Sequence, residues 1–231
     1  MNILITGGNG TIGSIIVAAL SESHNITLTD VTCADQRKCM LLDVATEYEK
    51  LLDICLKKEI DIIIHLAWDF AEDFPGFHSE ISNKLGAENV LRAAAESSVS
   101  RVVLASSVHA NKYSKAEKIL NVADDSYADT PYGASKLYIE ALGKAYAYTK
   151  GLEVIAIRLG GVNVDEEVRF EEDPLYDKVL LYNEDCISLF ERAIDCFDLT
   201  DKYTCFYAVS NNSGRIHDTN NTIGWKPVCP R

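Results

Sequence analysis

The first thirteen residues constrain the fold of this chain more than any other stretch. Residues 1–5 read Met-Asn-Ile-Leu-Ile, a short apolar run without charge. Thr6-Gly7-Gly8-Asn9-Gly10-Thr11-Ile12-Gly13 follows at once, and residues 14–20 then have the pattern of an amphipathic helix. A buried strand, a glycine-rich turn and a helix start are the parts of a cradle for dinucleotide phosphates. Gly7 allows a tight turn after the strand. Gly10 has no side chain, so backbone can approach a pyrophosphate, and Gly13 lets the helix pack close to the sheet. The N–H groups that open the helix, at Thr11 and Ile12, then face the phosphates with the positive end of the helix dipole. The spacing is Gly-x-x-Gly-x-x-Gly, which differs from the Gly-x-Gly-x-x-Gly of many dehydrogenases.

The rest of the chain keeps the rhythm that this start implies. Strands are expected at 25–30, 39–42, 61–67, 101–105, 154–157 and 204–209, and helices at 46–57, 80–97, 132–150 and 185–196. Such βαβα alternation predicts an α/β fold, a Rossmann-type doubly wound parallel sheet. The segment 61–67 is almost continuously apolar, as it must be when helices cover both faces of the sheet. Asp129-Thr130-Pro131 offers a cap for the long helix that follows. The polar stretches 111–129 and 161–184 both follow the carboxyl ends of strands, where such sheets bind ligands. No linker or repeat divides the chain. It reads as one domain over 1–231, with a small substrate-binding part from about 161–184 and 205–231.

Composition sets limits on partners. The 231 residues are 47% hydrophobic, enough for a sizeable core, and carry a formal net charge of -13. That charge argues against a nucleic acid or an anionic membrane as a partner of the whole surface. No window is long and apolar enough to span a bilayer, and the first residues lack the pattern of a secretory signal. Seven cysteines, at 33, 39, 55, 186, 196, 205 and 229, show no metal-binding spacing. They read as reduced core thiols of a cytoplasmic protein, and no metal is expected.

The chemistry-bearing residues lie in the middle of the chain. Tyr132-Gly133-Ala134-Ser135-Lys136 places a phenol and an ammonium four residues apart, on one helix face. An ammonium close to a phenol favours the phenolate and lowers its pKa from about 10. Ser106-Ser107 ends the strand upstream of that helix, where a hydroxyl can hold the oxygen whose proton Tyr132 exchanges. Ser107 is the serine assigned here, with Ser106 as its alternative. Asp30 closes the second strand, at the distance from the glycine turn where an acid binds the adenosine ribose. A carboxylate there repels a ribose phosphate and so selects NAD over NADP. Arg37 and Lys38 read as loop charges. His65 reads as a packed core histidine.

Together these pieces resemble the extended short-chain dehydrogenase/reductase family, also called the NAD-dependent epimerase/dehydratase family. The resemblance rests on Gly7, Gly10 and Gly13, Asp30, Asp43-Val44, His65-Leu66-Ala67, Asn83 with Gly86 and Asn89, Ser106-Ser107, and Tyr132 with Lys136, and it reaches to about Arg158. It implies NAD as cofactor. It also implies that Ser107, Tyr132 and Lys136 are catalytic, that Lys136 binds the nicotinamide ribose as well, and that Asp43, Val44, Leu66, Ala67 and Asn83 line the cofactor site. Members often form homodimers through two helices of each copy; here these would be 80–97 and 132–150.

The last third is short for the lobe that grips a nucleotide diphosphate in sugar-nucleotide enzymes. Arg158-Leu159-Gly160-Gly161, Tyr207-Ala208-Val209-Ser210-Asn211 and Ile223-Gly224-Trp225-Lys226-Pro227 are similar to uronate dehydrogenases and to archaeal NAD-dependent hexose or hexose-phosphate dehydrogenases. That likeness implies substrate contacts from Ser107, His109 and Arg169. Val108 stands where those enzymes have asparagine, and Trp68-Asp69-Phe70 lacks a serine that they use for substrate. Both departures argue against a uronate. The expected activity is oxidation of a hydroxyl, at C1, of a small sugar, sugar acid or sugar phosphate. The alternatives are an NAD-dependent sugar or sugar-nucleotide epimerase/dehydratase and a non-catalytic NAD sensor.

Overall fold

The computed structural model describes residues 1–33, 38–70, 78–111, 118–128, 130–171, 173–197 and 199–230. Arg37 and Asp129, both assigned from sequence, lie outside them. Seven strands form one parallel sheet in the order β3-β2-β1-β4-β5-β6-β7. They are β1 (Asn2–Thr6), β2 (Asn25–Asp30), β3 (Cys39–Leu41), β4 (Ile62–His65), β5 (Arg101–Ser107), β6 (Glu153–Leu159) and β7 (Tyr203–Ala208). The chain runs outward from β1 to β3, crosses back, and continues outward from β4 on the other side. The reversal between β1 and β4 opens a crevice at the carboxyl ends of those two strands, where doubly wound sheets bind ligands.

Among the described residues the α-helices are α1 (Thr11–Leu20), α2 (Tyr48–Lys57), α3 (His78–Ala95), α4 (Pro131–Lys150), α5 (Tyr176–Val179) and α6 (Asn183–Asp195). The strands alternate their side chains between two cores, as a period of two demands. Ile3 and Ile5, Ile62 and Ile64, Val103, and Ile155 and Ile157 meet α1 and α6. Leu4, Ile63, Val102 with Leu104, and Val154 meet α2, α3 and α4. Every residue of β5 and β6 is buried, which explains why the apolar runs there show no polar alternation. Helix α4 starts with Thr130 accepting a hydrogen bond from the Gly133 N–H (3.1 Å) and with proline at its first turn. It ends at Gly151 in the left-handed conformation (φ +71°).

The backbone at residues 228–229 is tied to a buried carboxylate. Asp185, in the first turn of α6, is fully buried. Its carboxylate accepts from Ser210 Oγ (2.6 Å), Val228 N (2.7 Å) and Cys229 N (3.1 Å).

The cysteines correct one expectation. Cys33 and Cys39 form a disulfide, because adjacent parallel strands bring the chain leaving β2 beside the start of β3, with 5.5 Å between the two Cα atoms. Cys55, Cys186, Cys196 and Cys229 are buried free thiols and Cys205 is half-buried, as read from sequence. Burial pushes the Cys55 thiol up to about 11 and those of Cys186 and Cys205 up to about 12. Among the described residues, no group of His, Cys, Asp or Glu can hold a metal ion, and no helix is long and apolar enough to cross a membrane.

Candidate active site

The glycine turn forms one wall of the crevice. Gly7 has φ +71°, and a Cβ there would lie 2.5 Å from Ala67 N, so only glycine lets the turn touch the end of β4. At Gly13 a Cβ would fall 2.2 Å from Gly8 O, which shows how closely α1 seats on the turn. No side chain caps α1, so its first N–H groups are left for a ligand. The turn is held in place from outside. Asn9 N donates to Asp30 Oδ2 (3.0 Å), and Asn9 Nδ2 donates to Thr32 O and approaches the Cys39 sulfur (3.6 Å). The Asp30 Oδ1 atom accepts from Thr32 N (3.2 Å). Each carboxylate oxygen therefore keeps lone-pair capacity for a ribose hydroxyl.

One crevice of 660 Å³ collects most of the residues singled out from sequence. Gly7, Gly10, Thr11, Ile12, Asp30, Asp43, Val44, Leu66, Ala67, Asn83, Ser107, Tyr132 and Lys136 all line it. Gly13 lies behind it, in the packing of α1. His109 stands at its edge, its ring 5.9 Å from the Tyr132 ring. Arg169 is not part of the lining. It forms an ion pair with Asp165, four residues earlier in sequence (2.9 Å). The side chain of Asp43 is engaged in its own turn, accepting from Ala45 N (2.9 Å) and Thr46 Oγ1 (2.7 Å). Asn83 is engaged likewise: it clamps the backbone of Asp69 in both directions (2.7 and 2.9 Å) and so fixes the segment after β4. His65 is packed in the core, as expected, with Nδ1 2.8 Å from Thr6 Oγ1.

The two serines take opposite faces of β5. Ser106 shares the face of Val102 and Leu104, and its hydroxyl donates to Glu140 on α4. Glu140 also receives a two-pronged contact from Arg158, at 2.9 and 2.8 Å, and Arg158 reaches Tyr207 OH (2.9 Å). Ser107 is the serine that turns to the phenol. Its hydroxyl accepts from His109 N (3.2 Å), and its hydrogen bonding is one of the influences on Tyr132.

The electrostatics differ from the sequence expectation. Burial pushes the Tyr132 phenol above its ordinary value; Ser107 pulls it down, and the charge of Glu80 pushes it up. The expected depression by Lys136 is not found. The Lys136 Nζ atom donates to Ala105 O (2.7 Å) and lies over the Trp68 ring, 3.3 Å from its centroid. Burial drives this ammonium well below its ordinary pKa, against the charges of Glu80 and Glu140. A lysine pushed toward its neutral form gives the phenolate little help.

Three features were not found by sequence reasoning. Trp68 and Phe70 pack on Tyr132 (5.9 and 5.8 Å between ring centroids). Glu80 is a buried carboxylate on α3. The Ser106–Glu140–Arg158 cluster lies behind Ser107. The sequence signal for the first was two aromatics, at 68 and 70, in the segment that follows β4.

A parallel doubly wound sheet with an uncapped glycine turn, an acid ending β2 and a serine, tyrosine and lysine on one crevice defines a Rossmann-type nucleotide-binding protein. The model of the NAD dependent epimerase/dehydratase family matches residues 3–164, and the chain belongs to that family. It is 32% identical to an uncharacterized Bacillus subtilis protein, YtbQ, over 97% of this chain and 93% of the relative. It is 29% identical to an L-arabinose 1-dehydrogenase (NAD(P)(+)) of Haloferax volcanii, over 97% of this chain and 95% of the relative. Among solved structures, a mutated uronate dehydrogenase superposes with a TM-score of 0.85, at 26% identity, over 98% of this chain and 81% of that one.

Proposed function

We propose that the chain is an NAD-dependent dehydrogenase that oxidises the C1 hydroxyl of a small sugar, sugar acid or sugar phosphate. The observation that carries this reading is the meeting of Ser107, Tyr132 and Lys136 on the crevice that the glycine turn and Asp30 also line. The pyrophosphate would rest on the start of α1, and the adenosine ribose on Asp30. Bound NAD supplies the hydride acceptor. Tyr132 takes the proton of the substrate hydroxyl, Ser107 holds the same oxygen, and Lys136 binds the nicotinamide ribose. Burial raises the Tyr132 phenol above its ordinary value, so its work as a base would be helped by positive charge beside it, which the oxidised nicotinamide would supply. His109, against Tyr132, contacts the substrate, and Arg169 receives an anionic one once it leaves Asp165.

The same reading treats residues 1–231 as one unit whose substrate side is 161–184 and 205–231. It places the protein in the cytoplasm on the ground of five free thiols, with the Cys33–Cys39 disulfide as the observation against it. Two copies pair through α3 and α4, where Ile81, Leu85, Tyr138 and Tyr148 are exposed. The test is a panel of aldoses, uronates and hexose phosphates, each with NAD and with NADP, scored by reduced cofactor. NADH formation with at least one simple sugar, sugar acid or sugar phosphate is expected. Conversion of a sugar nucleotide without net NADH would replace this reading with the epimerase one.

A further inference from the structure

The indole of Trp68 stands where the proposed chemistry needs open space. Lys136 is buried, and Nζ has three N–H groups. One donates to Ala105 O, and Nζ lies against the face of the Trp68 ring, 3.3 Å from its centroid. The amine packs closely on the indole face, and whatever charge it keeps is attracted to that face. The contact also leaves no room for an oxygen on that side. The indole itself is poorly served, because its Nε1–H is shielded from water and has no hydrogen-bond partner. Buried indole N–H groups ordinarily find one. The position of Trp68, one residue past Ala67 and edge-on to Tyr132, lies between the cofactor wall and the reacting phenol.

We propose that Trp68 is a plug on Lys136, which the nicotinamide-side ribose of the cofactor must displace before the site can act. This rests on the reading of Lys136 as the ribose-binding residue. The plug weakens the binding of any ligand that carries that ribose and leaves adenosine-only ligands untouched. Its release moves the indole from the Lys136 amine to a new surrounding, which its emission reports.

ADP-ribose carries the second ribose and ADP does not, so the two ligands separate the plug from the rest of the site. Binding of each to the wild-type protein is measured by calorimetry, and tryptophan emission is followed in parallel. The other tryptophan, Trp225, is buried, with its N–H on Ser188 Oγ (3.2 Å), and serves as a constant background. ADP-ribose is expected to change the emission and ADP is not. Trp68→Ala is expected to bind ADP-ribose about tenfold more tightly and ADP equally well. ADP-ribose bound without a change in emission overturns the proposal, as does an equal change with ADP or an unaltered ADP-ribose affinity in the variant. Should Trp68→Ala not fold, the wild-type emission decides alone. Absence of calorimetric binding for both ligands removes the cofactor reading itself, and the plug with it.

Discussion

At the scale of single residues, Tyr132 is held between opposing influences. Burial and Glu80 favour its neutral form, and Ser107 opposes them. A phenol so placed is a poor base alone, and its role depends on what binds beside it. Tyr132→Phe removes only the oxygen and keeps the ring that packs on Trp68 and Phe70. It is expected to bind NAD as wild type does and to lose roughly 10²–10⁴-fold in kcat, since that is the usual contribution of a general acid or base. Calorimetry with NAD and initial rates on the best substrate of the panel check this. The pairing of Tyr132 with Lys136 was legible because helical spacing fixes which residues share a face. The orientation of the Lys136 ammonium was not, because Ala105 O and Trp68 come from two other elements.

At the scale of elements, strands were read more closely than loops. The central runs on β1, β4, β5 and β6 are largely apolar because both sheet faces are covered there, and the bounds of these strands and of β2 and β7 moved by at most two residues. The short α5 and the turn at Val108–Ala110 have too few residues to show a period. The choice between Ser106 and Ser107 follows from strand parity, but only once it is known which face α4 covers. That packing also creates the Glu140–Arg158 pair, with both side chains nearly buried. Removing one partner of a buried pair leaves the other charge without compensation. Glu140→Ala is therefore expected to destabilise the protein by about 3–5 kcal/mol, read from urea unfolding, with Glu140→Gln less affected.

At the scale of the whole molecule, two buried histidines set an acid limit. Burial, and then the charge of Lys136, lowers His65 to about 3. Burial, followed by the charges of Arg158 and Arg215, lowers His217 to about 4. Both are neutral in the folded protein and protonate near 6.5 when unfolded. Above pH 6.5 they leave stability unchanged. As pH falls from 6.5 toward 4 the unfolded chain takes up protons that the folded one cannot. At pH 5 each histidine then costs about 2 kcal/mol. Thermal unfolding at pH 7 and pH 5 is expected to show this loss, and His65→Gln should reduce the difference. Neither effect was legible from sequence, where His65 could be assigned to the core but His217 sits in a polar stretch that gave no sign of burial.

Asp185 ties this economy of burial to the far end of the chain. Two of its three hydrogen bonds come from the backbone of Val228 and Cys229. Trimming a terminus is usually harmless housekeeping when a protein is prepared for expression. Here a copy stopped before residue 228 would carry a carboxylate in its interior with most of its donors gone. Such a copy is expected to lose about 3–5 kcal/mol and to partition into the insoluble fraction. Replacing Asp185 with asparagine in the shortened copy should recover part of the soluble yield. Cys229 is buried although its neighbour Val228 is half exposed, so these two residues act on the core through their backbone.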